Sequence, residues 1–145
     1  MIKQLAHVCF FTENAEAMVS FYRDILGFPV AFVMNNSDGG TPFGWYMDCG
    51  NDTFVEIFDQ VGAVQEWGGE AVELKQAANV HYRHICFETT DIEALRNELV
   101  GKGVEVTETK KGIDHSYQAW IKDVDGNAIE LMMYTPDSLQ FSNRK

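Results

Sequence analysis

The pattern of apolar and polar positions in the first sixty residues predicts one strand, one helix and three further strands. An apolar run from Leu5 to Phe11 has the length of a buried strand. Asn14 then offers a helix N-cap, and Gly27 stands where a glycine commonly ends a helix. Between them, apolar residues at helical spacing form one face: Met18, Phe21, Tyr22, Ile25 and Leu26. The later strands are predicted at Phe28–Met34, Phe43–Asp48 and Thr53–Phe58, with a turn at Gly50-Asn51-Asp52 before the last.

The pattern from residue 82 onward predicts the same order of elements. A strand at Tyr82–Phe87 is followed by Thr90-Asp91-Ile92-Glu93, which fits a capping box. One helix face then consists of Ile92, Leu95, Leu99 and Val100, and Gly101 and Gly103 close the helix. Three more strands are predicted at Val104–Thr109, Tyr117–Lys122 and Ala128–Tyr134, with a hairpin turn at Asp125-Gly126.

A repeat in the sequence explains why the two halves share one pattern. The segment HVCFFTENAEA, which begins at His7, is identical at six of eleven positions to HICFETTDIEA, which begins at His84. The later segments FVEIF and AIELM also correspond, and they place Glu56 and Glu130 inside apolar strands. We therefore predict an α+β fold of two tandem βαβββ modules in one domain over residues 1–145. Module 1 covers 1–59 and module 2 covers 81–134. Residues 60–80 form a linker, partly helical around Val72–Gln76, and 135–145 form a loose polar tail.

Composition and charge narrow the classes of partner. The chain has 22 acidic and 11 basic residues, a formal net charge of -11, which disfavours nucleic acid and anionic membranes as partners. No apolar run approaches the ~20 residues of a membrane span, and the N-terminus has no signal-peptide pattern. The three cysteines form no C-x-x-C pair, as is usual for free thiols in a reducing cytosol. We therefore expect a cytoplasmic protein that acts on a small molecule.

The repeated histidines and glutamates are the residues that carry candidate chemistry. A carboxylate within a buried strand is costly unless a partner compensates for it, and here two of them stand at matching places. His7, Glu56, His84 and Glu130 together would supply two imidazoles and two carboxylates to one divalent ion. Such a set suits Zn, Ni, Co, Mn or Fe(II) and leaves coordination positions open for water or substrate.

Structural interpretations exist for each of these residues taken alone. A single histidine on an apolar strand is more often a hydrogen-bonded core residue than a metal ligand. Glu56 has three candidate arginine partners in the chain, Arg23, Arg83 and Arg96. Cys9 and Cys86 share the strand face of the histidines and are interpreted as small buried residues near the site. Core packing is the default interpretation for five aromatic residues that could also line a pocket: Phe43, Trp45, Tyr46, Tyr117 and Trp120.

These motifs resemble the vicinal oxygen chelate superfamily, the group of glyoxalase I, bleomycin-resistance proteins and extradiol dioxygenases. The resemblance runs from His7 to Tyr134 and is carried by FYRDILGF, FVEIF, RHICFETTDIEAL and KDVDGNAIEL. It implies that paired βαβββ modules form an open, barrel-like cup with a divalent metal on its floor. It also implies the ligand set His7, Glu56, His84 and Glu130. Other branches lack a carboxylate at the second of these positions, so Glu56 fits the glyoxalase I pattern.

The resemblance also implies a reaction class. It is a glyoxalase I-like lyase or isomerase reaction of the lactoylglutathione lyase type, which proceeds through a metal-stabilised enediolate. Glu130 is then the expected catalytic base, with Glu56 as its counterpart. Phe11 stands where bacterial glyoxalase I has a glutathione-binding arginine, which disfavours a glutathione adduct as substrate. A dioxygenase, an epimerase and a non-catalytic antibiotic-binding protein are the alternatives. A homodimer with two equivalent sites is expected.

Overall fold

The structure is a computed structural model that describes residues 1–76 and 81–142. The chain divides into two compact units, Met1–Gln76 and Ala77–Lys145, which are called the first and second unit below. Each unit contains one four-stranded mixed sheet with a helix between its first and second strands. The predicted α+β class with two βαβββ modules is therefore confirmed. None of the described helices is long and apolar enough to cross a membrane.

The sheet of the first unit has its first strand at one edge, beside its fourth. The strands lie at His7–Thr12 (β1), Val30–Asn35 (β2), Pro42–Asp48 (β3) and Phe54–Asp59 (β4), in the order β1-β4-β3-β2. β1 and β4 run parallel, whereas β3 is antiparallel to both β4 and β2. The turn before β4 forms as predicted. Gly50, Asn51 and Asp52 all have positive φ, and the Thr53 amide donates to the Gly50 carbonyl at 3.0 Å. This turn fixes the register of β3 against β4.

The first helix forms where its apolar face and its caps predict it. Helix α1 covers Ala15–Ser20, and the Asn14 side chain accepts a hydrogen bond from the Ala17 amide. A short π-helical turn follows, and Met18, Phe21 and Tyr22 of the predicted face are buried. Gly27 has φ of 81°, and the next amide, that of Phe28, donates back to the Tyr22 carbonyl at 3.0 Å. The helix therefore ends at the glycine.

The segment after β4 differs from the prediction. A helix, α2, covers Gln60–Trp67 directly after β4, and the Asp59 side chain caps it by accepting from the Gly62 amide. The predicted helix at Val72–Gln76 does not form. The Gln60 side-chain amide instead hydrogen-bonds both backbone groups of Val72, at 2.8 and 3.0 Å. A side chain thus satisfies backbone groups that a helix would have paired internally.

The sheet of the second unit repeats the same topology. Its strands lie at Ile85–Glu88 (β5), Lys110–Lys111 (β6), Tyr117–Lys122 (β7) and Ala128–Met133 (β8), in the order β5-β8-β7-β6. Helix α3 covers Ile92–Gly101. β5 and β8 are parallel, and β7 and β8 form a hairpin around the predicted turn, where Gly126 has φ of 83°. The predicted bounds of β7 are confirmed.

Two details of helix α3 correct the prediction. The N-cap is Asp91, whose side chain accepts from the Ala94 amide at 2.9 Å, so the capping box led by Thr90 does not form. The prediction that Val100 lies on the buried face is also wrong, because its side chain is half exposed. Leu99 and Ile92 are buried as expected. The helix contacts the sheet through β7 and β8, and this contact leaves Val100 outside the packed face.

The predicted strand at Val104–Thr109 is wrong as well, and a competing hydrogen bond explains the difference. The Thr107 carbonyl, which would join a strand ladder, accepts instead from the Arg96 guanidinium at 2.8 Å. The Trp120 amide therefore donates to the Thr107 hydroxyl, at 2.9 Å, rather than to that carbonyl. One backbone bond to β7 remains at this point, from the Thr107 amide to the Trp120 carbonyl at 3.0 Å, and strand pairing with β7 is confined to β6.

Of the tail predicted to be loose, residues 135–142 are hydrogen-bonded to the rest of the second unit, and residues 143–145 lie outside the described residues. The Ser138 hydroxyl is buried beside the Ser116 hydroxyl, with the two oxygens 2.9 Å apart. It also accepts from the Thr135 amide at 2.8 Å. A 3₁₀ turn then covers Leu139–Phe141, and the Leu139 amide donates to the Asp114 carbonyl. A satisfied buried hydroxyl pair therefore fixes this segment as far as residue 142.

Candidate metal-binding residues and their neighbours

In the first unit, His7 and Glu56 lie side by side at the edge of the sheet. β1 pairs with β4 so that Cys9 is opposite Glu56, and His7, two residues earlier, points to the same face. His7 Nδ1 is 3.2 Å from Glu56 Oε1. The imidazole side chain is 49% exposed and the glutamate side chain 6%. The two atoms are close, but their geometry is not that of a hydrogen bond. Glu56 Oε1 is therefore a buried oxygen without a hydrogen-bond partner.

Two further side chains interact with the Glu56 carboxylate. Tyr46 on β3 is opposite Glu56 in the strand register, and hydrogen bonding to that carboxylate raises the pKa of Tyr46 to about 12. Partial desolvation, reinforced by the same carboxylate, raises the pKa of the Cys9 thiol to about 11. Glu56 therefore lies among one imidazole, one phenol and one thiol.

The second unit has an equivalent pair with different surroundings. His84 Nε2 is 3.1 Å from Glu130 Oε2, and the two side chains are 36% and 7% exposed. Cys86 is opposite Glu130 in the register, and desolvation followed by the charge of Glu130 raises the pKa of this thiol to about 12. Trp120 takes the place that Tyr46 has in the first unit, and its ring meets the His84 ring edge-on with centroids 4.9 Å apart. Each unit thus combines an accessible imidazole with a buried carboxylate.

The structure brings the four predicted ligand residues together as two pairs. Within residues 1–76 and 81–142, no three His, Cys, Asp or Glu side chains form a group that could hold a metal ion. A single site made of all four residues therefore stays a prediction. The alternative arginine partners of Glu56 are not supported. Arg23 pairs with Asp24, Arg96 pairs with Glu108, and no ion pair joins Arg83 to Glu56 among the described residues.

The predicted burial of Cys9 and Cys86 is wrong, since both residues are exposed. They share the sheet face that carries the imidazoles, and they lie on β1 and β5, which are edge strands. A residue on an edge strand has a neighbouring strand on one side alone. Its side chain is therefore more open to solvent than the same residue would be in a central strand.

The role of Tyr46 was missed in the sequence, where core packing was its default interpretation. A signal for it existed in the predicted turn at residues 50–52. A tight turn there pairs Asp48 with Phe54, and the alternation of the two strands then places Tyr46 opposite Glu56. The hairpin register would therefore have identified the neighbour of the buried carboxylate.

Comparison with known protein families assigns this chain to a superfamily. Residues 4–131 match the Glyoxalase/Bleomycin resistance protein/Dioxygenase superfamily. The chain belongs to this superfamily. The resemblance stated from the sequence motifs is thereby confirmed.

A curated relative and two solved structures illustrate the range of activities in the superfamily. The chain is 30% identical over 136 residues to an ethylmalonyl-CoA/methylmalonyl-CoA epimerase of Cereibacter sphaeroides, covering 90% of this chain and 98% of that protein. Its fold is similar to that of a lactoylglutathione lyase from Agrobacterium tumefaciens, with a TM-score of 0.66 at 18% identity and coverages of 92% and 95%. It is also similar to TnmS3, an antibiotic-binding protein from a Streptomyces species, with a TM-score of 0.68 at 21% identity and coverages of 92% and 98%. These three proteins have different activities on one fold, so membership of the superfamily does not by itself assign a reaction to this chain.

Proposed function

We propose that this protein is a divalent-metal-dependent lyase or isomerase of the glyoxalase I type that acts on a small carbonyl substrate. The observation that carries the proposal is the pair of histidine–glutamate contacts at equivalent positions of the sequence repeat, at 3.2 and 3.1 Å. In the proposal, His7, Glu56, His84 and Glu130 hold one ion. The two pairs come either from one chain or from two chains of a homodimer.

The residues of each pair fit a divalent ion. Glu56 Oε1 is one of two buried side-chain oxygens without a hydrogen-bond partner among the described residues, the other being Thr109 Oγ1. A buried carboxylate oxygen without a partner is costly, and a cation beside it would offset that cost. The donor set of imidazole nitrogens and carboxylate oxygens suits Zn, Ni, Co, Mn or Fe(II), and these are the cofactors we propose.

The proposed chemistry is proton transfer beside a carbonyl group. A bound divalent ion would polarise a substrate oxygen and lower the pKa of the neighbouring C–H group. Glu130 takes that proton as the general base, because its side chain is almost fully buried and its described partners are His84 and Cys86. Returning the proton to the adjacent carbon completes an isomerisation with no net gain or loss of protons.

An epimerase is the second candidate, and the curated relative favours it. That protein is named for epimerisation of ethylmalonyl-CoA and methylmalonyl-CoA, and it is 30% identical to this chain over 136 residues. Epimerisation uses the same first step, removal of a proton beside a carbonyl. The proton then returns to the opposite face of the same carbon. Both candidates therefore require one carboxylate base beside a carbonyl-binding ion.

Proton exchange in D2O tests the shared step. The protein is loaded with Zn or Ni under anaerobic conditions and incubated separately with methylmalonyl-CoA and with a methylglyoxal hemithioacetal, and exchange is followed by NMR. We expect exchange with one of them, lowered about 100-fold or more in Glu130→Gln because the general base is lost. Glu105→Gln, which changes an exposed carboxylate after α3, should match the wild type.

Two results would overturn the proposal. Strict dependence on oxygen together with Fe(II) would identify a dioxygenase. Tight binding of an antibiotic that persists after metal removal, without exchange of either substrate, would identify a binding protein. Elemental analysis of the purified protein completes the test, since the proposal requires one ion for every two histidine–glutamate pairs.

A further inference from the structure

Tyr46 lies next to Glu56 of the proposed metal site, although core packing was its default interpretation from the sequence. It lies on β3 directly opposite Glu56, with the two Cα positions paired in the sheet register. This pairing brings the phenol beside the Glu56 carboxylate, and the interaction with that carboxylate raises the pKa of Tyr46. The phenol thus contacts the carboxylate from the side of β3, while His7 contacts it from the side of β1.

The Tyr46 ring is held in place by other aromatic rings. Phe32 on β2 stacks on it, with ring centroids 4.1 Å apart and an interplanar angle of 22°. Phe54 and Phe58, the neighbours of Glu56 on the same face of β4, meet it edge-on at 6.2 and 6.3 Å. Aromatic contacts of this kind restrict the ring and hence the position of its hydroxyl. The donor is therefore preorganised toward the carboxylate.

The second unit has no hydroxyl at the equivalent place. Trp120 is opposite Glu130, and its ring is turned edge-on to the His84 imidazole, at 81° between the planes. An indole can donate only through its ring N–H, and the contact that the structure shows for the Trp120 ring is with the His84 imidazole. The residue on the third strand therefore contacts a different side chain in each unit. In the first unit Tyr46 is beside the carboxylate of Glu56, and in the second unit Trp120 contacts the imidazole of His84.

We propose that Tyr46 is a positioning residue that orients Glu56 toward the divalent ion. The inference rests on the proposed function, since it needs an ion at Glu56. Residues that hydrogen-bond to a metal ligand fix its orientation and raise metal affinity. Oε1 of Glu56 has no hydrogen-bond partner of its own, so the phenol can orient the carboxylate without occupying that oxygen. In this inference Glu56 is the more firmly held ligand, because Glu130 has Trp120 in place of a phenol at the opposite strand position.

The test is removal of one hydroxyl, with Tyr46→Phe as the variant and Tyr117→Phe as its control. Tyr117 is on β7 opposite Met133, away from both pairs. Co(II) affinity is measured by competition with a chelator, and the visible absorption of the Co(II) protein is recorded. We expect Tyr46→Phe to weaken Co(II) binding about 10-fold and to change the spectrum. Tyr117→Phe should do neither. Thermal unfolding of both metal-free variants should stay within about 3 °C of the wild type, because packing is retained.

A double-variant cycle separates positioning from a general structural effect. In a Glu56→Ala background, Tyr46→Phe should have no further effect on Co(II) affinity, because the hydroxyl acts through that carboxylate. The same loss in both backgrounds would overturn the inference. So would a Tyr46→Phe protein that binds Co(II) like the wild type. Failure of the wild type to bind Co(II) at all is a different result, and it would reject the proposed function itself.

Discussion

Glu56 and Glu130 stand within strands whose other residues are mostly apolar, FVEIF and AIELM. Both are almost fully buried, and each contacts one imidazole at 3.1–3.2 Å. At the scale of single residues, the carboxylates are less favourable for folding than the apolar residues beside them, such as Val55 and Ile129. Their presence at matching places is therefore better explained by chemistry than by stability.

Glu56→Gln should stabilise the protein when no metal is present. The glutamine keeps an acceptor for Tyr46 and replaces the charged oxygen that has no hydrogen-bond partner with an uncharged NH2 group, which can donate to the neighbouring His7 Nδ1. We expect the free energy of unfolding in EDTA to rise by about 1 kcal/mol. It is measured by chemical denaturation with and without Zn. Zn should stabilise the wild type more than the variant. A variant less stable than the wild type in EDTA would contradict this interpretation.

The sequence predicted the histidine–glutamate pairs because the repeat marks the same positions twice. His7 and His84 open the repeated segments, and Glu56 and Glu130 close them. What the sequence did not predict is the difference between the pairs. This difference arises because Tyr46 is opposite Glu56, whereas Trp120 is opposite Glu130. Such cross-strand neighbours can be identified only after the register of the two strands has been worked out.

At the scale of elements, the caps and turns were better predicted than the segments between them. Asn14, Gly27 and the Gly50–Asp52 turn act locally, so their effect can be read from neighbouring residues. Helix α2 was missed because Gly62 lowers helix propensity. The structure shows why glycine is needed there: a Cβ at residue 62 would overlap Phe43. This packing against β3 is tertiary information that the local pattern does not contain.

The N-cap of α3 gives a quantitative test at this scale. The Asp91 side chain accepts the Ala94 amide, so Asp91→Ala should lower the free energy of unfolding by about 1 kcal/mol. Thr90→Ala is the matched control, because the capping-box interpretation would make Thr90 the N-cap. We expect it to change stability by less than about 0.5 kcal/mol. Chemical denaturation of both variants measures the difference. A larger loss of stability for Thr90→Ala than for Asp91→Ala would contradict this prediction and favour Thr90 as the N-cap.

At the scale of the whole molecule, we predict a homodimer with one ion per chain. Edge strand β2 exposes apolar side chains, with Phe32 at 49% and Val33 at 39%, and such surfaces commonly mark contacts between proteins. Light scattering should give about 33 kDa, twice the 16.4 kDa of the chain. Two pairs per chain and two pairs per ion give one ion per chain.

Mixing two inactive variants determines how the pairs combine. One chain carries His7→Ala with Glu56→Gln, and the other carries His84→Ala with Glu130→Gln. If the pairs of an ion come from different subunits, the mixed dimer contains one intact site and regains part of the activity. If both pairs come from one chain, mixing restores nothing. A monomeric mass at micromolar concentration, with normal metal content, would contradict the dimer itself.

The parallel pairing of β1 with β4 has a consequence for the order in which the chain folds during synthesis. His7 is aligned with Phe54, so β1 leaves the ribosome long before its partner strand exists. The β3–β4 hairpin is local and closes early, whereas docking β1 requires closure of a loop of more than forty residues. We therefore expect the strand that carries the histidine to be the last to join its sheet. A nascent chain cannot make the His7–Glu56 contact until β4 has emerged, so the metal binding proposed for this pair would follow completion of the sheet.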